Sequence, residues 1–228
     1  MRIGILEDEL LIAEHLSELI MEKDYELVFC VDNFKEAKEE VKKGVDFLML
    51  DIKIAGEQDG IDFANYIKSK LNIPFLFISS NVDEETLQRV IQAKPYGFLS
   101  KPFKNIDVEM ALDLAMEKFI HSPEHSNSKK AIFLKDKGSW IKFELDNILY
   151  IEASDNYSII YLSQKSEVLI TKNLKYFEEN LPSNQFIRIN RSNIINKNFV
   201  TQFDTKNIYI DNIGFSISDT ININELKF

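Results

Sequence analysis

Acidic and polar side chains collect just after short apolar runs in the first half of the sequence. Glu7, Asp8 and Glu9 follow Ile3, Ile5 and Leu6, and Asp51 closes the run Asp46-Phe-Leu-Met-Leu. Ser79 and Ser80 follow Pro74-Phe-Leu-Phe-Ile78, and Ser100, Lys101 and Pro102 follow Gly97-Phe-Leu99. Carboxylates brought together repel one another unless a cation offsets them. Hard oxygen donors with open positions suit Mg2+, which keeps waters and binds phosphate oxygens. A carboxylate beside such an ion can attack phosphorus and form an acyl phosphate. That transfer needs positive charge and donors around the phosphoryl oxygens. Lys101 offers the charge and Ser79 the hydroxyl, so the chemistry on offer is phosphoryl acceptance by Asp51. Singly, each residue has an ordinary reading as a solvated loop acid, a helix cap or a surface lysine. Their ordered placement at successive run ends sets them apart.

Those residues meet only if the runs are parallel strands of one sheet. The pattern between them supports this. Leu11, Ile12, His15, Leu16, Leu19 and Ile20 recur at helical spacing. Phe34, Ala37 and Val41 share a helix face, as do Ile61, Ala64 and Ile67, and further helices are predicted over Thr86–Ala93 and Val108–Ile120. Five βα units predict an α/β doubly wound five-stranded parallel sheet of flavodoxin-like order. In that architecture ligands bind beyond the carboxyl ends of the strands.

The second half reads differently. Short β-rich runs follow one another: Ala131–Leu134, Trp140–Phe143, Ile148–Ile151, Ser158–Leu162, Val168–Thr171, Ile208–Ile210 and Phe215–Ser218. One helix is predicted over Asn173–Asn180. This spacing predicts a separate, mostly-β domain. The polar stretch His121–Lys130 divides the halves as a linker. The expected organisation is a first domain over 1–121, a linker over 122–130 and a second domain over 131–228.

The chain of 228 residues carries 27 Lys and Arg against 37 Asp and Glu, a formal charge of −10. As a whole that argues against nucleic acid as a partner. The division changes the inference: all the excess acid lies before residue 130, and the second half is neutral. Cys30 is the single cysteine, which excludes an intrachain disulfide and suits a reducing, cytoplasmic setting. The N-terminus does not read as a signal peptide, and no run approaches the ~20 apolar residues of a membrane span. No phosphate-binding glycine loop and no zinc spacing is present. His15, His121 and His125 all precede residue 130, so the second half has neither histidine nor cysteine for a hydrolytic triad or thiol nucleophile.

Residues 1–120 resemble the receiver domain of bacterial two-component response regulators. The segments that carry this are Ile5–Glu9, Phe47–Ile54, Asp59–Ile61, Phe77–Asn81 and Gly97–Phe103. The resemblance implies that Asp51 accepts a phosphoryl group from a sensor histidine kinase. Glu7, Asp8, Asp51 and the backbone carbonyl of Lys53 would hold Mg2+. Ser79 and Phe98 match the switch positions, and Lys101 matches the phosphate-binding lysine, followed by an often cis bond to Pro102. Lys53 and Asn81 match positions that tune dephosphorylation, and Lys53 is expected to slow it. The loop Asp51–Gly60 is one residue longer than the commonest form. Phosphorylation is expected to remodel the helix 4–strand 5–helix 5 face and form a homodimer there, with Arg89, Lys94, Asp107, Glu109, Asp113 and Lys118 as its charges.

Residues 131–226 resemble the LytTR-type DNA-binding domain, through Ile148–Leu162 and Leu174–Asn196. Members place loops in successive major grooves. By this resemblance DNA contacts fall at Asn156, Tyr157, Asn190, Arg191 and the segment after Ser218, with Lys197, Lys172 and Lys175 on phosphates. Arg191 can fork onto guanine O6 and N7. Asn190 stands where histidine is common, and Asp219 where arginine is expected. The whole implies a phosphorylation-controlled transcription regulator acting on promoter direct repeats, with no enzymatic activity beyond chemistry at its own Asp51. The rival expectation is an adaptor whose β domain binds protein and has lost affinity for DNA.

Overall fold

The computed structural model describes residues 1–71, 73–80, 82–122 and 130–218. It divides into two compact units, 1–127 and 128–228.

In the first unit five strands alternate with five helices: β1 (Arg2–Leu6), α1 (Leu10–Glu22), β2 (Glu26–Val31), α2 (Phe34–Glu40), β3 (Phe47–Asp51), α3 (Gly60–Lys70), β4 (Phe75–Ser79), α4 (Glu84–Ala93), β5 (Gly97–Ser100) and α5 (Asn105–Ile120). The strands form one parallel sheet in the order β2-β1-β3-β4-β5. Every residue of β3 and β4 is buried. That explains their unbroken apolar sequence, since helices cover both faces of a parallel sheet. Strand order reverses between β1 and β3, so a crevice opens beyond their carboxyl ends.

Two local features fix the start of α3. Asp59 caps it, accepting from Asp62 N at 2.9 Å, while the Asp62 side chain accepts from Asp59 N at 3.1 Å. This reciprocal box satisfies two otherwise orphan donors. Gly60 follows, packed under β3 so tightly that a Cβ there would lie 1.8 Å from the Asp51 carbonyl oxygen. Helices α4 and α5 begin two and three residues earlier than the apolar pattern predicts, because Asp83 and Lys104 at their N-caps precede polar first turns.

The second unit holds a five-stranded antiparallel sheet, β10-β9-β8-β12-β11. Its members are β8 (Ile148–Ser154), β9 (Tyr157–Leu162), β10 (Glu167–Ile170), β11 (Phe186–Arg188) and β12 (Asn193–Asn196). A hairpin, β6 (Ala131–Asp136) with β7 (Ser139–Glu144), and a meander, β13 (Val200–Phe203), β14 (Asn207–Ile210) and β15 (Ile213–Ser216), complete the strands. Helix α6 (Leu174–Asn180) is capped by Asn173, whose side chain accepts from Tyr176 N. One apolar core gathers Ile148, Ile151, Ile160, Phe177 and Ile194. A second joins Tyr150, Ile189 and Ile195 to Ile208, Ile210 and Phe215 of the meander.

Candidate functional site

The strand register brings the first set of candidates together. Leu6 of β1 pairs with Leu50 of β3, so Glu7 and Asp51 leave the sheet side by side. Asp51 pairs with Ile78, and Ser79 with Ser100, which sets Lys101 one residue beyond. Lys101 N donates to the Ser79 carbonyl at 2.8 Å, and the Lys101–Pro102 peptide is cis. Glu7, Asp51 and Ser79 are all buried, as is the ammonium end of the pocket.

Lys101 is the hub of this pocket. Its Nζ donates to Asp51 Oδ2 at 2.6 Å, to Glu7 Oε1 at 2.8 Å and to Glu9 Oε1 at 3.0 Å. Burial alone would lower its pKa, but the bonds to Asp51, Glu7 and Glu9 together hold it above the ordinary lysine range. Lys53 N donates to Asp51 Oδ1 at 3.0 Å, fixing the other carboxylate oxygen. Oxygens of Glu7, Asp8 and Asp51 lie within 4.8 Å of one another. Burial pushes the Glu7 carboxyl up to about 7, and the neighbouring charge of Asp51 adds to this against the pull of Lys101. Glu7 Oε2 is buried and lacks a hydrogen-bond partner. A buried, orphaned carboxylate oxygen beside two more carboxylates matches what a hard divalent cation needs.

The remaining candidates of this unit are scattered around the pocket. Phe98 lies on β5 with its ring exposed. Asn81 lies outside the described residues. Two of the charges expected on the face of α4, β5 and α5 are engaged within the fold. Arg89 is drawn inward, its guanidinium forking onto Asp59 at 2.6 and 3.0 Å and reaching Asp62 at 3.1 Å. Glu109 pairs with Lys23 at 3.0 Å. Lys94, Asp107 and Lys118 remain exposed, and beside them so are apolar side chains: Leu87 and Ile91 on α4, Phe98 on β5, and Ile106, Met110 and Leu114 on α5.

In the second unit the antiparallel register collects most candidates at one end of the sheet. Ser154 pairs with Tyr157 across the β8–β9 turn, so Asn156 and Tyr157 project there, both exposed. Asn193 pairs with Glu152, and Ala153 N donates to Ser192 O at 2.8 Å, which brings the loop of Asn190 and Arg191 to the same end. Ser218 N donates to Ile189 O at 2.8 Å, adding the end of the meander. Ile170 pairs with Ser158, so Lys172 follows at this end, its Nζ 4.7 Å from the Tyr176 ring centre. Lys175 reaches Glu179 at 3.7 Å.

Two candidates fall elsewhere in role or place. Asn190 spends both ends of its amide within the fold: Nδ2 donates to Ser216 O at 2.7 Å and Oδ1 accepts from Ser192 N at 2.7 Å. It clamps the loop to the meander. Lys197 follows β12 at the opposite end of the sheet and donates to Ser183 O at 2.9 Å. The segment from Asp219 onward lies outside the described residues. Arg188, not singled out from sequence, shapes the loop. It donates to the carbonyls of Asn190 and Arg191, each at 3.2 Å, and to Glu178 at 2.8 Å. Its only signal in the sequence is its place two residues after Phe186, within the matching segment Leu174–Asn196.

Comparison with known proteins gives two matches, to the response regulator receiver domain over residues 3–113 and to the LytTr DNA-binding domain over residues 138–220. The transcriptional regulatory protein PdtaR of Mycobacterium tuberculosis is 34% identical over 120 residues, covering 52% of this chain and 58% of PdtaR. The chain thus spans just over half the length of that relative. The transcriptional regulatory protein NatR of Bacillus subtilis is 23% identical over 205 residues, covering 89% of this chain and 84% of NatR. The sensory transduction protein LytT of Bacillus anthracis is 23% identical over 214 residues, covering 89% and 85%. No helix among the described residues is long and apolar enough to cross a membrane. With both domains matched in this order, the chain belongs to the two-component response regulators, as a receiver domain followed by a LytTr DNA-binding domain.

Proposed function

We propose that Asp51 takes a phosphoryl group from the phosphohistidine of a sensor kinase and that this controls DNA binding by the second domain. One Asp51 oxygen bonds to phosphorus; the phosphorus–nitrogen bond breaks, its electron pair stays on the imidazole nitrogen, and that nitrogen takes up a proton. Lys101, already 2.6 Å from Asp51 Oδ2, holds the incoming phosphoryl charge. Lys53 N steadies the second carboxylate oxygen. Ser79 donates its hydroxyl to a phosphoryl oxygen, and Phe98 turns into the space that movement leaves. Glu7, Asp8, Asp51 and the Lys53 carbonyl would hold Mg2+, whose charge would offset the crowded carboxylates and the phosphoryl group. The observation that carries this is the convergence of Lys101 on Asp51 and Glu7, with Glu7 Oε2 left orphaned. Lys53 and Asn81 set the rate of hydrolysis.

The reading divides the chain into a receiver over 1–121, a linker over 122–130 and an output domain over 131–228, working in the cytoplasm without catalysis beyond Asp51. The phosphorylated receiver forms a homodimer through the apolar side chains of α4, β5 and α5. Exposed stripes of this kind mark association surfaces. The dimer reads direct repeats with Arg191, Asn156 and Tyr157 on bases and Lys172 on phosphate. Asn190 serves by holding the loop, and Lys197 makes at most a peripheral phosphate contact.

Labelling with a phosphorylated kinase tests the receiver, because Asp51→Asn should abolish labelling of the chain. Binding-site selection at defined salt tests the output domain. Enriched sequences that lose affinity on Arg191→Ala support it. Sequence-blind, salt-sensitive binding alone would instead favour the adaptor.

A further inference from the structure

Glu9 has no place in the acidic cluster of Glu7, Asp8 and Asp51, yet it is one of the three carboxylates on Lys101. It stands at the N-cap of α1, where its side chain makes no cap bond. The carboxylate reaches instead to the Lys101 ammonium at 3.0 Å. Its backbone N donates to Glu7 Oε1 at 3.2 Å, the same oxygen that accepts from Lys101. Glu9 and Lys101 are thereby tied twice, once directly and once through Glu7. The Lys101 side chain is 7% exposed and that of Glu9 63%, so Glu9 closes the pocket on its solvent side.

The partners of Lys101 face different fates. Asp51 Oδ2 and Glu7 Oε1 belong to residues that would ligate a divalent cation. A cation there competes with the ammonium for those oxygens and repels it. Glu9 alone among the three is outside that competition. We infer that Glu9 is a positioning residue: it keeps the Lys101 ammonium at the mouth of the pocket when a cation engages Glu7 and Asp51, aimed at the oxygens of an incoming phosphoryl group. This rests on the phosphoacceptor reading of the same pocket.

The test is acetylation of Lys101 in the full chain, followed by peptide mass spectrometry with and without Mg2+. In the parent chain Mg2+ should raise the labelling rate modestly, because two partners are lost and Glu9 remains. In Glu9→Gln, Mg2+ should raise it several-fold further, while the metal-free rates of the two chains stay within about twofold. Glu9→Asp keeps the charge and shortens the reach, and it should behave like Glu9→Gln. Glu14→Gln, on the exposed face of the same helix, should behave like the parent. Equal Mg2+ responses in the parent and Glu9→Gln would overturn the inference, as would a Glu14→Gln effect of equal size. If Mg2+ leaves Lys101 labelling unchanged in every chain, the cation reading of the pocket fails first and the role of Glu9 with it. Melting temperatures of the variants confirm that each is folded.

Discussion

Lowering the pH from 8 to 6 should weaken Mg2+ binding by the full chain about tenfold. The reason is Glu7, whose buried carboxyl is pushed up to about 7. A ligand must be ionised to bind a cation, so each ion that binds at pH 6 displaces a proton from Glu7. With a pKa of about 7, the penalty on the dissociation constant is about 1.1-fold at pH 8 and about 11-fold at pH 6. A carboxyl at an ordinary value near 4.5 would change the constant by only a few per cent over the same range. Calorimetric titration in two buffers of different ionisation enthalpy reads both the constant and the protons released. The expected release is close to one proton at pH 6 and near zero at pH 8. Glu7→Gln should bind more weakly and lose the pH dependence. The same shift has a stability consequence of definite sign. Glu7 holds its proton more tightly folded than unfolded, so its contribution favours the fold at low pH and is lost as pH rises from 4.5 through about 7. Mg2+ should therefore raise the melting temperature more at pH 8 than at pH 6. A constant that is flat between pH 6 and 8, with no proton release, would refute the reasoning.

Gly60→Ala should destabilise the receiver by at least about 2 kcal/mol in urea unfolding, since its Cβ meets backbone rather than a movable side chain. Arg191→Ala should cost about 1–3 kcal/mol of specific DNA affinity and relax the sequence preference at one position, whereas Lys197→Ala, at the far end of the sheet, should change affinity by less than about threefold. Asn190→Ala removes two hydrogen bonds that lock the loop to the meander, at about 1 kcal/mol each. It should speed amide exchange at Ser192 and Ser218 as well as weaken DNA binding. Arg89→Ala should cost no more than about 1 kcal/mol, because its pairs are partly exposed, but should speed exchange over the first turns of α3 and α4.

The receiver was legible because its chemistry is tied to its topology. Continuous apolar runs such as Phe47–Leu50 name buried parallel strands, and the residue after each run must emerge at the same edge. Register then does the rest for Glu7, Asp51, Ser79 and Lys101. What the runs do not reveal is partnership: Glu9 looks like any loop acid until Lys101, 92 residues away, is placed against it. In the second unit, β11, β12 and β13 were missed because they have only three or four residues each and carry polar side chains. The buried Asn196 is an example, with Nδ2 donating to Leu145 O and Ile148 O in place of an apolar contact. Missing β12 also misplaced Lys197. It lies six positions after Arg191, but the four-residue strand between them spans about 13 Å and carries the chain to the other end of the sheet. Asn190 shows a different limit of the sequence, which does not reveal the two bonds it makes within the fold. An amide suits a base edge and a backbone equally well, and only the fold chooses.

The forked bond of Arg89 joins α4 to the cap of α3, and Gly60 at that cap abuts the backbone of Asp51. These contacts connect an outer helix to Asp51 in two short steps. Thermodynamic coupling between sites is reciprocal. If phosphorylation shifts α4 and so favours association through Leu87 and Ile91, then association must in turn favour the phosphorylated form. DNA that holds two copies together would thereby lower the free energy of the acyl phosphate on each. The promoter would act as an effector of the receiver, and the balance of phosphorylated to unphosphorylated protein would depend on how many binding sites a cell contains.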